Sequence, residues 1–168
     1  MEFSNPKSRS RYNRRPRLPS RFLPLWMVVS CVLFFTDRTF GQQPTDENVI
    51  RSMLDDQVAA WNQGDVEGYM HGYWDSDSTA FSSGGTMTKG YREVLSRYRK
   101  DYNSREKMGK LEFQDLDIQR LSPTIAIATG VWELRRKLDR PWGRFTLIIE
   151  KKLEGWRITH DHTSSAEK

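Results

Sequence analysis

Apolar positions recur at two different periods along this chain, and the change of period divides it. Between residues 45 and 102 they fall three and four apart. Ile50, Met53, Leu54, Val58 and Trp61 mark one helical face. Thr45 can N-cap that helix, with Asp46 and Glu47 in a first turn that favours negative charge. Asn62-Gln63-Gly64 ends it, and Asp65 caps a second, short helix whose apolar face is Val66, Tyr69, Met70 and Tyr73. Thr79–Ser82 and Thr86–Thr88 flank Gly84-Gly85, which predicts a hairpin. After Gly90 a third helix carries Tyr91, Val94, Leu95, Tyr98 and Tyr102, and Asn103 to Gly109 reads as a polar connection.

The last third alternates with period two, as strands do. Leu111 and Phe113 share one parity and Leu116 and Ile118 the other. That slip near Asp115 predicts a β-bulge, which bends a sheet. Strands follow over 124–137, 144–153 and 156–164, separated by turns at Ser122-Pro123, Asp139 to Gly143 and Glu154-Gly155. Three helices followed by a long bent meander predict an α+β fold. The helices pack into the concave side of a curved antiparallel sheet and leave a cone with an open end, the kind of place small molecules occupy. The middle strands are apolar on both parities, Phe145, Leu147 and Ile149 against Ile148 for example. An outer face that apolar predicts a homodimer.

The final strand, Trp156-Arg157-Ile158-Thr159-His160-Asp161-His162-Thr163, draws attention to its own end. Strict alternation puts Trp156, Ile158, His160 and His162 on one face, so the apolar face runs into two of the three histidines. Histidine is the side-chain type suited to acid–base chemistry at physiological pH, so both are candidate catalytic acids or bases, with Asp161 or a hydroxyl to orient them. They also fit a hydrogen-bonding role at a pocket rim or strand end. A metal site needs three or four ligands at set spacing and two are visible, so no metal and no cofactor is expected. Trp61, Tyr69, Trp74, Phe81, Tyr98 and Trp132, with His160 and His162, are the candidate lining of a pocket for a flat organic molecule. His71 falls off its helix face and reads as solvated, and Asp75-Ser76-Asp77 reads as a turn.

Composition changes this picture mainly at the N-terminus. The chain has 168 residues and a net charge of +5. Residues 1–41 hold eight basic and two acidic side chains, which leaves 19 basic and 20 acidic in the remainder. The folded part therefore has no excess of Lys and Arg with which to bind nucleic acid. The basic stretch is followed by a 14-residue apolar run, Phe22 to Phe35, and then by polar residues ending Thr39-Phe40-Gly41. That order predicts a signal peptide over 1–41 cleaved before Gln42, a linker at 42–44 and a domain over 45–166. The chain is then exported, periplasmic or secreted, and meets a membrane only through an uncleaved or lipidated leader. The single cysteine, Cys31, lies in the apolar run, so the mature chain has no thiol chemistry.

The layout, with Trp61-Asn62-Gln63-Gly64-Asp65 after the first helix, resembles the nuclear transport factor 2-like superfamily over nearly all of 45–166. Members include ketosteroid isomerase, SnoaL-like polyketide cyclases, scytalone dehydratase and the association domain of calcium/calmodulin-dependent kinase II. The ending Trp156 to Ser164, and Phe81-Ser82-Ser83-Gly84-Gly85 with Gly90 and Arg97-Tyr98, look most like that association domain and the bacterial SnoaL-like proteins related to it. The resemblance implies a cystatin-like, SnoaL-like cone. It leaves three functions open: a small-molecule binder, a His-dependent cyclase, dehydratase or isomerase, and a non-catalytic association module. The isomerase's base, helical tyrosine and acid align with Ser82, Gln57 and Ile149, none of which supports that proton abstraction.

Overall fold

The computed structural model describes residues 44–166. The predicted signal peptide and most of the linker, with Cys31, lie outside the described residues. Helix α1 spans Asp46–Gln63, α2 Val66–Met70, α3 Tyr91–Asp101 and α4 Arg105–Met108. The strands are β1 Ala80–Ser83, β2 Thr86–Lys89, β3 Lys110–Arg120, β4 Ile125–Arg135, β5 Trp142–Lys152 and β6 Gly155–Thr163. They form one six-stranded sheet in the order β2-β1-β6-β5-β4-β3. The expected α+β cone is what the chain builds, with helices on the concave side of a curved sheet. Two details differ from expectation. The 103–109 connection contains the short α4, N-capped by the Ser104 side chain. The sheet is antiparallel except at one pair, where β1 runs parallel to β6.

The Trp61-Asn62-Gln63-Gly64-Asp65 motif earns its residues locally. Gly64 closes α1 at φ 89°, a left-handed conformation open to glycine. Asp65 then caps α2 by accepting from Gly68 N–H. The Asn62 side chain accepts from Leu111 N–H at 2.8 Å and donates to Leu111 O at 3.0 Å, pinning the start of β3. Trp61 Nε1 donates to Met108 O at 3.1 Å, which sets its indole into the core. Arg105 donates to the carbonyls of Trp61 and Asn62 at 2.8 and 3.1 Å, where a helix C-terminus favours positive charge. The other end of α1 is tied to the sheet by Asp46. Its carboxylate accepts from Arg120, Lys151 and Trp156 Nε1 at 2.8, 2.9 and 3.1 Å.

Two bulges shape the sheet. In β3 the register with β4 shifts between Gln114 and Asp117, and Asp115 takes a positive φ of 51°. In β6 the register with β5 shifts between Ile148 and Ile149, so Thr159 is the extra residue. The segment after α2 straps onto β6 at that point, with Ile158 N–H donating to Gly72 O and Trp74 N–H to Ile158 O. Inside, Ile50, Leu54, Met70, Val94, Ala126, Ala128, Ile149, Trp156 and Ile158 form the buried core. Each large apolar side chain there contributes about 1.5–3 kcal/mol through burial.

Candidate functional site

Between the helices and the inner sheet face lies a cavity of about 130 Å³. Its helical wall is Gln57, Trp61, Tyr69, Tyr73, Tyr98 and Tyr102. Its sheet wall is Phe81, Leu111, Phe113, Trp132, Leu134, Phe145, Leu147, Ile158 and Asp161. Ser83, Arg97, Asp101, Thr163 and Ser165 stand with them around the lining. Phe145 reaches across because Gly130 faces it: a β-carbon there would stand 2.6 Å from the Phe145 ring. Trp61 packs edge to face on Tyr69 at 5.1 Å and on Tyr102 at 4.7 Å between centroids.

The β6 bulge decides which polar group enters. Residues directly opposite on antiparallel strands share a face. Ile149, which is in the core, faces Ile158, as alternation from Trp156 requires. Beyond Thr159 the pairing resumes with Ile148 opposite His160, Leu147 opposite Asp161, Thr146 opposite His162 and Phe145 opposite Thr163. Leu147 and Phe145 line the cavity, so Asp161 and Thr163 point inward. His160 and His162 stand on the outer face, half-buried and exposed respectively. The expected face of Trp156, Ile158, His160 and His162 is thus broken after Ile158. The reason is the extra residue, which resets the parity.

The candidate lining residues divide accordingly. Trp61, Tyr69, Phe81, Tyr98 and Trp132 come together around the cavity. Trp74, His160 and His162 are not among its lining. Trp74 stands half-buried with Lys152 Nζ 3.7 Å above its ring. Ser82, paired with His162, faces outward too, and His71 is exposed. Among the described residues no group of three or more His, Cys, Asp or Glu side chains converges as a metal would require.

Asp161 is the group that alternation missed. It is 5% exposed, and its Oδ2 accepts from the Tyr73 hydroxyl at 2.6 Å. Its Oδ1 has no hydrogen-bond partner among the described residues. Burial pushes the carboxyl up to about 7, and the Tyr73 hydrogen bond holds it partly back. The phenols of Tyr69, Tyr73 and Tyr98 are all raised, first by burial and then by neighbouring groups that include Asp161, so they remain protonated donors. Arg97 lies half-buried at the rim with Nε 3.6 Å from Asp101 and its guanidinium 4.9 Å from the Phe81 ring centre.

Comparison with known proteins agrees with this architecture. The SnoaL-like domain family matches residues 50–167. A crystal structure of an NTF-2 like protein of unknown function from Shewanella oneidensis MR-1 is 40% identical, with TM-score 0.66, covering 68% of this chain and 95% of that one. A domain of unknown function with a cystatin-like fold from Nostoc punctiforme PCC 73102 is 22% identical, with TM-score 0.61, covering 73% of this chain and 78% of that one. A ketosteroid isomerase-like protein from Erwinia carotovora atroseptica SCRI1043, 16% identical with TM-score 0.56, shares the fold over 71% of this chain and 95% of its own. No curated protein matches the chain significantly. With its cone, a family match over residues 50–167 and a 40% identical relative of the same fold, the chain belongs to the SnoaL-like domain family of the nuclear transport factor 2-like superfamily.

Proposed function

We propose that this protein binds a small, largely apolar organic molecule with an aromatic body inside its cone. The observation that carries the reading is the cavity itself: a built concave space, ringed by aromatic side chains, with one buried carboxyl that has an unpartnered oxygen. An unpartnered buried polar atom is unfavourable by about 1–3 kcal/mol, and a ligand with a matching polar group removes that penalty. The reading gives His160 and His162 no part in the cavity.

The test is a thermal-shift screen of the full chain against a broad set of small aromatic compounds. A binder at a hundredfold excess over its Kd stabilises the fold by about 2.7 kcal/mol. Ser83→Trp, at the lining on a half-buried strand end, should abolish the shift while leaving the fold intact. A screen with no stabilising compound, or a hit unaffected by Ser83→Trp, would contradict the reading.

Export is a second part of the proposal. It is supported by the basic, apolar and polar order of residues 1–41. Mass spectrometry of the protein recovered from an exporting bacterial host should find a mature N-terminus at Gln42. An N-terminus that retains the leader would contradict cleavage.

A further inference from the structure

The polar atoms of the cavity wall are unevenly divided between donors and acceptors. Trp61 Nε1 is taken up by Met108 O at 3.1 Å and Trp132 Nε1 by Ser164 O at 3.0 Å. Gln57 is buried, and its amide nitrogen donates to Tyr69 O at 2.8 Å. The rim Arg97 is engaged by Asp101 at 3.6 Å and by Thr88 Oγ1 at 3.4 Å. What remains deep in the wall is the Asp161 carboxyl with its unpartnered Oδ1, beside the Tyr69 and Tyr98 hydroxyls, which are directed to one another and offer O–H but no N–H. No Lys or Arg side chain lies against Asp161 among its hydrogen-bonding or charged neighbours. Tyr73, Tyr69 and Tyr98 stand nearest to it, and Trp61, Phe113 and Phe145 line the same cavity.

A carboxyl among aromatic rings, short of N–H donors, is complementary to one kind of ligand. A neutral hydrocarbon leaves the carboxyl unsatisfied. An anion is repelled by Asp161. An ammonium group supplies both the missing donors and the missing charge, through charge-assisted hydrogen bonds and attraction to ring faces. We propose that the cavity selects a small organic cation, an amine carried on a flat aromatic body, held by the carboxylate of Asp161. The inference rests on the reading of the cone as a ligand site and names the chemical class of that ligand.

Facing Asp161 are Tyr73 and Tyr69 from α2 and the segment after it, Tyr98 from α3, Phe81 from β1 and Leu147 from β5. Arg97 and Asp101 are the charged rim groups of α3, and His160 and His162 flank Asp161 on the opposite face. The carboxyl is half-protonated near neutrality, whereas a bound cation requires the carboxylate. Cation binding below about pH 7 therefore releases a proton from Asp161.

Isothermal titration calorimetry on the full chain tests this with three probes of one shape: 2-phenylethylamine, 2-phenylethanol and phenylacetate. The amine should bind about tenfold tighter than the alcohol at pH 7.5, and phenylacetate should bind more weakly than either. At pH 6 the heat of amine binding should change with the ionisation enthalpy of the buffer, reporting the released proton. Asp161→Asn should erase the preference for the amine while still binding the alcohol. The proton release of the unmodified chain is read without any variant. Equal affinities, a preference for the alcohol or the acid, or amine binding with no proton release would overturn the cation assignment and leave the cavity reading standing. If no probe binds, the cation assignment also fails; the cavity reading falls with it only if the broad aromatic screen is blank as well.

Discussion

Asp161 binds more protons in the folded chain than in the unfolded chain across a defined window. Its folded value is about 7 and its ordinary value 3.8. Its favourable contribution is fully present below about pH 4 and is lost as pH rises through about 7, on the order of 4 kcal/mol across the window. Asp46, Glu67 and Glu150 are shifted down by their ion pairs and hydrogen bonds, so their contributions fade only as pH falls below about 4.5. The window from about 5 to 7 is thus dominated by Asp161 among the shifted carboxyls. Urea denaturation should show stability falling from pH 5 to 7, and Asp161→Asn should flatten that slope. An unchanged slope would place the titration elsewhere. Tyr73→Phe removes the 2.6 Å hydrogen bond and leaves both carboxyl oxygens unpartnered. It should destabilise the fold by about 1–3 kcal/mol at pH 7 and raise the Asp161 midpoint further. A midpoint that falls would contradict the arrangement.

At the scale of elements, the two bulges explain what could be seen in the sequence and what could not. The β3 bulge is legible because apolar residues stand on both sides of it. Leu111 and Phe113 report one parity and Leu116 and Ile118 the other. The β6 bulge is silent because Ile158 is the last apolar residue before the strand ends. Thr159, His160, Asp161, His162 and Thr163 are polar on both faces, one face being solvent-side and the other a polar end of a cavity. Alternation has nothing left to report there, and simply continued from Ile158 it places the histidines inward and Asp161 outward. The parallel β1–β6 pair was equally hidden, since pairing partners so far apart leave no local pattern. Helix α1 and the start of α2 are legible almost to the residue because caps mark their ends, Thr45, Gly64 and Asp65, whereas the four-residue α4 is too short to show an apolar period. That motif supplies an element-scale prediction. Gly64→Ala forces a β-carbon into φ 89° and to 2.9 Å from the Arg105 side chain. It should lower stability by about 1–2 kcal/mol, measurable by urea denaturation; a neutral outcome would mean that α1 ends differently.

The whole molecule carries an apolar strip on its outer sheet face. Ile127 stands opposite Ile148, and Ile148 opposite His160. Ile125 and Ile148 are 39% and 38% exposed. We propose that this strip is the contact of a homodimer, since partly exposed isoleucines side by side on a sheet face are surface that a partner would cover. Native mass spectrometry should find a dimer that Ile148→Asp converts to a monomer. A monomeric parent chain would contradict the proposal, and a large closed ring would favour an association module. On that account the molecule turns two faces of one strand to two purposes, histidines to the outside and Asp161 to the cavity. The most direct measurement of that division is the carboxyl carbon shift of Asp161 followed by NMR against pH, without and with 2-phenylethylamine, the resonance assigned by its loss in Asp161→Asn. The account predicts a midpoint near 7 in the absence of amine and a lower one in its presence. A midpoint near 4, unmoved by the amine, would mean that Asp161 is not the buried carboxyl of a ligand cavity.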